Sequence, residues 1–261
     1  MKKAFVSGFV ILCAAGIAAG GPTTGLVAYY PFNGNANDES GTGNNGSPVG
    51  GVTWTTGPAG GAAHLDGTGY IRVPDSPSLD LPGARGTISA LVSIAPSGDE
   101  FGIVVKESSS SFPSTIAYEF AARSNATSLS MLISDGSNSE LGGTPAGTLP
   151  KDSAWHHVAA TWVPDDVRIY LDGVLLFQGN ERVPVYTVNN ISDPVLIGAF
   201  RWNVGGMYRY LTGDMDEVRI YDRALSAEEI RQLPPIPAPG AVVLVGIGAA
   251  VVRLLRRRGL A

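Results

Sequence analysis

A chain of 261 residues with 34 glycines, 18 prolines and only 16% charged residues has room for one large β domain or two small ones, built from short strands and tight turns. The formal net charge is −5, and every acidic residue lies between Asp38 and Glu229, so the chain lacks the basic surface that a nucleic-acid-binding protein needs. The single cysteine, Cys13, excludes an intramolecular disulfide.

The first twenty residues have the pattern of a secretory signal peptide. Lys2 and Lys3 precede an apolar run at residues 4–19, and small residues at 18–20 offer a cleavage site. A transmembrane anchor is the alternative, but the run is short for one. The sequence therefore predicts export of a mature domain that begins at residue 21.

Short strands separated by turn residues follow along the chain. The first is residues 25–32, and residues 33–50 form a loop of Asn, Gly, Asp and Ser that is either a solvated connection or an oxygen-rich ligand shell. The next segment, residues 63–73, reads as a hairpin, and residues 74–82 read as a loop. Further strands are predicted at residues 86–94, 101–106, 115–122, 128–134, 195–200 and 215–221.

Residues 155–178 predict a three-stranded antiparallel meander. Its strands are residues 155–162, 167–171 and 174–178, and Asp172-Gly173 between the last two is typical of a type I′ turn. A meander with one apolar face needs a second sheet to cover it. The spacing of strands along the chain is that of a β-sandwich.

One short helix is predicted near the end of the domain. Ser226 and Glu229 have the spacing of a capping box, and Leu225 and Ile230 have the spacing of a hydrophobic staple. The helix is expected to end before Pro234, so that the domain occupies residues 21–233.

The C-terminal segment resembles a membrane-sorting tail. Residues 234–240 are a stiff proline-rich linker, residues 241–252 are apolar, and three arginines follow at residues 256–258 within the tail 241–261. As a helix, residues 241–255 span about 22 Å at 1.5 Å per residue, short of the ~30 Å hydrocarbon core. The basic end predicts that the C-terminus lies inside and the acidic domain outside.

Four sequence blocks, in order, resemble the signature of laminin-G-like domains of the concanavalin A-like lectin/glucanase superfamily. They are GLVAYYPFNGNANDESGTGNNG, AHLDGTGYIRVPDSPSLDL, WHHVAATWVPDDVRIYLDG and GDMDEVRIYDRALSAEEI. The resemblance implies an all-β fold, an antiparallel jelly-roll β-sandwich. The tail is similar to a PEP-CTERM sorting signal, which implies an exosortase-type protease as a partner, although this chain reads Pro237-Ala238-Pro239 where that family has Pro-Glu-Pro.

The resemblance also implies a structural calcium ion. In laminin-G-like sandwiches a cation often ties the N-terminal loop to the final strand, and the matching positions here are Asp38 and Asp216. Calcium binds six to eight oxygens, and the loop offers several. The alternative is that Asp38 forms an Asx turn and Asp216 pairs with an arginine.

No catalytic residue is predicted. His156 and His157 are adjacent in a strand, so their side chains point to opposite faces and cannot share one site. A glucanase-type enzyme needs two carboxylates across a cleft. Asp214 and Asp216 have a suitable i, i+2 spacing, but they coincide with a structural block of the laminin-G-like pattern, and the alternating catalytic motif of the glucanases is absent.

Three aromatic residues are candidates for carbohydrate binding. Trp202, Tyr208 and Tyr210 lie in a glycine-containing segment, and an aromatic ring stacks on the apolar face of a sugar. The alternative is that Tyr208 and Tyr210 pack on one face of a strand. The sequence as a whole predicts a non-catalytic protein of the cell surface or extracellular matrix that binds carbohydrate or protein. A glycoside-active enzyme and a purely structural matrix component are the alternatives.

Overall fold

The computed structural model describes residues 21–108, 116–202 and 207–233, and for Trp202, Met207 and Tyr208 it describes the backbone. The predicted signal peptide, linker and tail lie outside these residues. Within the described part of the chain, no helix is long and apolar enough to cross a membrane.

The described residues form seventeen strands, one short 3-10 helix at Pro77–Leu79 and one α-helix. In chain order they are β1 Leu26–Tyr30, β2 Ser47–Val49, β3 Val52–Gly57, β4 Gly60–Asp66, β5 Tyr70–Val73, β6 Gly86–Ile94, β7 Phe101–Glu107, β8 Ile116–Arg123, β9 Ser128–Ser134, β10 Ser139–Gly143, β11 Trp155–Val163, β12 Asp166–Leu171, β13 Val174–Gly179, β14 Val195–Ile197, β15 Ala199–Trp202, β16 Met207–Tyr210, β17 Thr212–Tyr221 and α1 Ala227–Gln232.

Two large antiparallel sheets face each other, which confirms the predicted β-sandwich. The eight-stranded sheet has the order β13-β12-β11-β6-β17-β4-β3, and β1 also pairs with β17. The seven-stranded sheet has the order β10-β9-β8-β7-β14-β5-β2. A separate two-stranded hairpin consists of β15 and β16. Strands far apart in sequence are neighbours in both sheets, as in a jelly roll.

The main core lies between the two large sheets and takes alternate residues from each strand. Trp162 of β11 is 1% exposed and its ring lies 6.5 Å from that of Tyr118 in β8. Residues Phe120, Met131 and Ile133 of the seven-stranded sheet belong to the same core cluster. Side chains alternate along a strand, so the residues next to these core residues in sequence point to the outer face of the seven-stranded sheet.

Helix α1 packs on the outer face of the eight-stranded sheet. Ile230 and Leu225 are buried there in one cluster with Tyr170 and Tyr221. The predicted capping box is confirmed, because the Ser226 hydroxyl accepts from the Glu229 N–H and the Glu229 carboxylate accepts from the Ser226 N–H. The helix therefore closes the domain at the position that its sequence predicts.

The predicted strand at residues 195–200 is in fact divided between two sheets. Residues 195–197 form β14 of the seven-stranded sheet, and Ala199 begins β15 of the hairpin. Gly198 between them has a φ of 86°, and a Cβ at this position would lie 2.4 Å from Leu65 Cδ2. A residue with a side chain would be strained here, and the glycine allows the chain to change direction.

The turn between β12 and β13 gives a stability prediction. Asp172 and Gly173 have φ values of 50° and 76°, which confirms the positive φ at both central positions of a type I′ turn. Gly173→Val is expected to lower the free energy of unfolding by more than ~1 kcal/mol, because a β-branched residue is strained at positive φ. Chemical denaturation measures the change, and a value within experimental error would contradict the prediction.

Candidate functional site

A groove of about 360 Å³ lies on the outer face of the seven-stranded sheet. Glu119 of β8, Leu132 of β9 and Leu141 of β10 are opposite one another in the ladder, so they form one row across this face. Arg182, from the segment that follows β13, completes the lining. The full lining is Ile116, Glu119, Arg123, Ser130, Leu132, Leu141 and Arg182.

The lining combines an aliphatic floor with a few polar groups. Ile116, Leu132 and Leu141 supply apolar surface, while Glu119, Arg123 and Arg182 supply charges of both signs. Ligand sites in proteins are typically concave and largely apolar, with a small number of polar groups that orient the ligand. The groove has this composition.

Arg123 connects the floor of the groove to the β15–β16 hairpin. Its Nη2 donates to Glu119 Oε1, its Nη1 lies 3.8 Å from Glu100 Oε2, and its guanidinium lies 4.0 Å from the Phe200 ring centroid. Phe200 is 1% exposed and packs with Val105 on the outer face of the sheet. The hairpin therefore rests on this face, beside the groove.

A second carboxylate is buried next to Glu119. Glu107 is the last residue of β7, two positions beyond Val105, which pairs with Glu119. Burial and the Glu119 charge raise the pKa of Glu107 to about 7, although the Arg201 backbone N–H donates to its Oε1. Sequence reasoning missed this pair, because it looked for carboxylates along one strand and these lie on adjacent strands. Glu119 lines the groove, whereas Glu107 does not.

The predicted carbohydrate-binding aromatics lie in the hairpin. Residues 202 and 208 are in β15 and β16, where Arg201 pairs with Tyr208. The Tyr210 ring stacks on Tyr70, with centroids 6.3 Å apart and planes inclined by 28°. Tyr210 therefore packs within the domain, while its strand borders the sheet that carries the groove.

Asp38 lies in the N-terminal loop, where four donors surround its carboxylate. Oδ1 accepts from the backbone N–H groups of Tyr29 and Ser40, each at 2.9 Å. Oδ2 accepts from Thr42 Oγ1 at 2.8 Å and from the Asn44 N–H at 2.9 Å. Burial raises the pKa of this carboxyl, but the hydrogen bonds outweigh it and hold the pKa below 3.8. The Asx-turn geometry is thus present.

Asp216 is fully buried in β17, at a bulge where Glu217 has a φ of 53°. Its Oδ1 accepts from the Glu217 N–H at 2.7 Å, and its Oδ2 lies 3.4 Å from the Ala59 N. Burial, and then repulsion by the Glu217 carboxylate, raise the pKa of Asp216 to about 7. Arg219 Nη2 forms a salt bridge with Glu217 Oε2 at 2.5 Å, so Arg219 neutralises one of these two carboxylates.

Tyr29 links the surroundings of the two predicted calcium ligands. Its N–H donates to Asp38, and its hydroxyl donates to Glu217 Oε1 at 2.7 Å, next to Asp216. Among the described residues, no group of three or more His, Cys, Asp and Glu side chains is placed to hold a metal. A calcium ion at Asp216 would therefore need backbone or amide oxygens as further ligands.

The adjacent histidines occupy different environments. His156 Nδ1 lies 2.9 Å from Asp172 Oδ2, whereas the His157 side chain is buried and its Nε2 has no hydrogen-bond partner among the described residues. Burial lowers the pKa of His157 to about 4, despite the opposing charge of Asp172. The two side chains therefore have different partners, Asp172 for His156 and the packed interior for His157.

His157 gives a pH prediction. Its pKa is depressed in the folded state, so its contribution to stability is present above about pH 6.5 and is lost as the pH falls through about 4. In His157→Gln, the free energy of unfolding should decline less steeply over this range. Equal slopes for His157→Gln and the wild type would contradict the prediction.

Two facing antiparallel sheets with jelly-roll connections define a β-sandwich. Residues 65–231 match the Laminin_G_3 family, which is described as concanavalin A-like lectin/glucanases superfamily. The match covers more than half of the chain, and the chain belongs to this family. No curated protein sequence matches the chain.

Solved structures share the fold at low sequence identity. One is domain 4 of AbnA, an extracellular GH43 arabinanase from Geobacillus stearothermophilus, in complex with arabinotriose. Its TM-score is 0.57 and its identity 21%, and the match covers 80% of this chain and 98% of that domain. The binding domain of Paraclostridial Mosquitocidal Protein 1 has a TM-score of 0.61 and 16% identity, covering 81% of this chain and 52% of the other.

A third similar structure is the binding domain of Botulinum Neurotoxin DC in complex with SialylT, with a TM-score of 0.59 and 13% identity. The match covers 80% of this chain and 50% of that domain. The chain thus spans about half the length of the two toxin binding domains, and nearly all of the arabinanase domain.

Proposed function

We propose that this protein is a non-catalytic binding domain that takes carbohydrate in the groove on the outer face of the seven-stranded sheet. The observation that carries the proposal is the lining of this groove, in which an aliphatic floor meets Glu119, Arg123 and Arg182. Hydroxyl groups of a saccharide would bond to the charged side chains, and its C–H faces would lie on the aliphatic floor. The similar domains that were solved with arabinotriose and SialylT support a saccharide as ligand.

A glycan array tests the proposal. The purified protein should bind a restricted set of saccharides, and prolonged incubation with them should release no reducing sugar. If no saccharide on the array binds, a protein partner or a purely structural role is favoured. Under the alternative of a glycoside-active enzyme, Glu119 and Glu107 would be the two catalytic carboxylates. Hydrolysis that is lost in both Glu119→Gln and Glu107→Gln would overturn the non-catalytic assignment.

The terminal segments support export and sorting. The basic start and apolar run of residues 1–20 fit a signal peptide, and residues 234–261 fit an exosortase-type signal that also holds the protein at the membrane, permanently or until cleavage. The domain would then act at the cell surface or in the extracellular matrix. Mass spectrometry of native protein should find the first segment missing, with the tail either removed or embedded in membrane. Recovery of the full-length chain from the host cytoplasm would contradict this proposal.

A structural calcium ion is part of the proposal. Asp216 fits a cation, because it is buried beside the Glu217 carboxylate and Arg219 neutralises only one of the two. Asp38, with four donors, would have to exchange some of them for the ion. An ion that binds only the folded chain adds ~2.7 kcal/mol at a hundredfold excess over its dissociation constant. Chelator should therefore lower the melting temperature.

The variant Asp216→Asn distinguishes whether a bound calcium ion or a proton neutralises the Asp216 carboxylate. If calcium binds, the variant should be less stable than the wild type in calcium and should lose the chelator effect. If a proton neutralises Asp216, its raised folded-state pKa gives stability that is complete below about pH 3.8 and is lost as the pH rises through about 7. Asp216→Asn would then be more stable than the wild type at pH 8, with or without chelator, and the calcium proposal would be wrong.

A further inference from the structure

Most edge strands of the two large sheets are protected within the described part of the chain. An open edge strand presents unpaired N–H and C=O groups, which natural proteins cover or interrupt. Strand β1 is covered by the loop that follows it, because Tyr29 O accepts from the Glu39 N–H and the Tyr29 N–H donates to Asp38. Strand β10 is covered by the segment after β13, since the Glu181 N–H donates to Leu141 O.

The edge at β3 has no such protection. Strand β2 is three residues long and contains Pro48, and the pairing of β13 with β12 is interrupted by a bulge, where the register shifts between Ile169 and Tyr170. Strand β3 is six residues long, contains no proline and pairs with β4 in one regular register. It is therefore the open edge of the eight-stranded sheet.

The free backbone groups of β3 belong to alternate residues. The Asp66 N–H donates to Gly51 O, which continues the β3–β4 ladder by one hydrogen-bonded pair. Since hydrogen-bonded and non-hydrogen-bonded pairs alternate in an antiparallel ladder, the odd-numbered residues of β3 bond to β4. The even-numbered residues Val52, Trp54 and Thr56 direct their N–H and C=O groups away from the sheet.

Trp54 lies at the margin of the main core and stays partly open to solvent. It is opposite the core residue Ala63, and its ring lies 6.1 Å from that of Phe32. Nevertheless 36% of Trp54 is exposed, and no described residue bonds to the outward backbone groups of Trp54 or Thr56. A strand added at this edge would bond these groups and cover the indole.

The charge around β3 favours a second copy of this chain as the added strand. Residues 40–63 contain no ionisable side chain, although the whole chain has a formal net charge of −5. The two ionisable residues of β4 are bonded within their own copy, His64 to Asp214 at 2.7 Å and Asp66 to the Thr68 N–H at 2.9 Å. Two acidic copies can therefore approach at this edge without strong repulsion.

We propose that β3 pairs with β3 of a second copy, antiparallel about a two-fold axis at Trp54. Trp54 then faces Trp54 of the other copy, and Val52 faces Thr56. Every outward residue meets an outward residue, which makes the strand self-complementary. The two Trp54 backbones exchange two hydrogen bonds. Each Val52–Thr56 pair adds one, because the Val52 N–H already donates to Gly50 O.

This pairing leaves the groove open in both copies. Strand β2, which leads directly into β3, and strand β10, which lines the groove, are at opposite ends of the seven-stranded sheet. The dimer therefore presents two separate grooves, which under the proposed function bind a repeating saccharide with higher avidity than one groove. The pairing itself does not depend on what the groove binds.

Sedimentation velocity of the complete chain in a mild detergent, over a range of concentrations, tests the pairing. We expect a monomer–dimer equilibrium. Thr56→Pro removes an outward N–H that β4 does not use, so it should keep the wild-type circular dichroism and weaken dimerisation about tenfold or more. Trp54→Lys should also weaken it, by placing two like charges face to face. Val174→Lys, at a residue of the β13 edge that is 61% exposed, is the control and should dimerise as the wild type does.

Disulfide trapping tests the register. In a Cys13→Ser background, Trp54→Cys should form a linked dimer under mild oxidation, because a hydrogen-bonded antiparallel pair places its Cα atoms about 5.5 Å apart, within reach of a disulfide. Val174→Cys should stay unlinked. A wild-type chain that is monomeric at every concentration would overturn the proposal. So would dimers that persist in Thr56→Pro and Trp54→Lys, or equal linking of the two cysteine variants.

Discussion

Replacing Lys106 with methionine is expected to lower the free energy of unfolding by about 3 kcal/mol. The Lys106 side chain is fully buried, and its Nζ donates to Asp75 Oδ1 at 2.7 Å and to Asp80 Oδ1 at 2.5 Å. Methionine fills similar space but leaves both carboxylates without their cation. The cost lies near the lower end of the range for broken buried ion pairs, because the two aspartates remain 34% and 19% exposed to water.

Lys151→Met is the matched control for this measurement. Lys151 Nζ donates to the Gly98 carbonyl at a partly exposed position, so its loss should cost about 1 kcal/mol or less. Chemical denaturation of both variants gives the comparison. Equal costs for the two lysines would show that the buried triad does not fix the loop of residues 74–82 to β7.

Asp38→Ala is expected to lower the free energy of unfolding by about 3 kcal/mol, because hydrogen bonds to charged groups contribute about 1.5–3 kcal/mol each and water recovers part of them. Four donors of the N-terminal loop and β1 lose their acceptor. Since the pKa of Asp38 is depressed, its contribution is present above about pH 3.8 and is lost as the pH falls through the lower folded-state value.

Asp38→Asn is the control for charge and shape. Asparagine keeps Oδ1 for Tyr29 and Ser40, but its amide nitrogen faces the donors of Thr42 and Asn44 and cannot accept from them. It should therefore recover about half of the loss. The same costs with and without chelator would identify a loop cap that acts independently of calcium, and a cost that vanishes in chelator would contradict that role.

The features that the sequence predicts correctly are local. The type I′ turn depends on Asp172 and Gly173 alone, and the capping box depends on Ser226 and Glu229, three positions apart. The sandwich follows from many short strands, since each has an apolar face that a second sheet must cover. These signals require no knowledge of which strands are neighbours.

The features that the sequence does not predict depend on strand register. Lys106 meets Asp75 and Asp80 only because β7 passes beside the loop that follows β5. Glu107 approaches Glu119 through the pairing of β7 with β8, and the groove needs β8, β9 and β10 in register. An isolated lysine or glutamate in a strand gives no signal of such a partner, because one residue of slip would move every side chain to the other face.

The predicted ligand residues illustrate the same limit. The aromatic composition of residues 200–211 singles out a segment whose described strands, β15 and β16, rest beside the groove. It does not show that Phe200 is buried against the outer face of the seven-stranded sheet, or that Tyr210 stacks on Tyr70. Arg182 was not predicted either, because it reaches the groove from an irregular segment.

Calorimetric titration of the strongest glycan from the array, with and without an obstructed groove, tests the central claim most directly. Ser130→Trp places a large ring in the groove, whereas Thr53→Trp adds the same side chain at an exposed position of β3 in the other sheet. Both variants should keep the wild-type circular dichroism. We expect Ser130→Trp to abolish binding and Thr53→Trp to retain it. Unchanged affinity in a folded Ser130→Trp protein would contradict the assignment of carbohydrate binding to this groove.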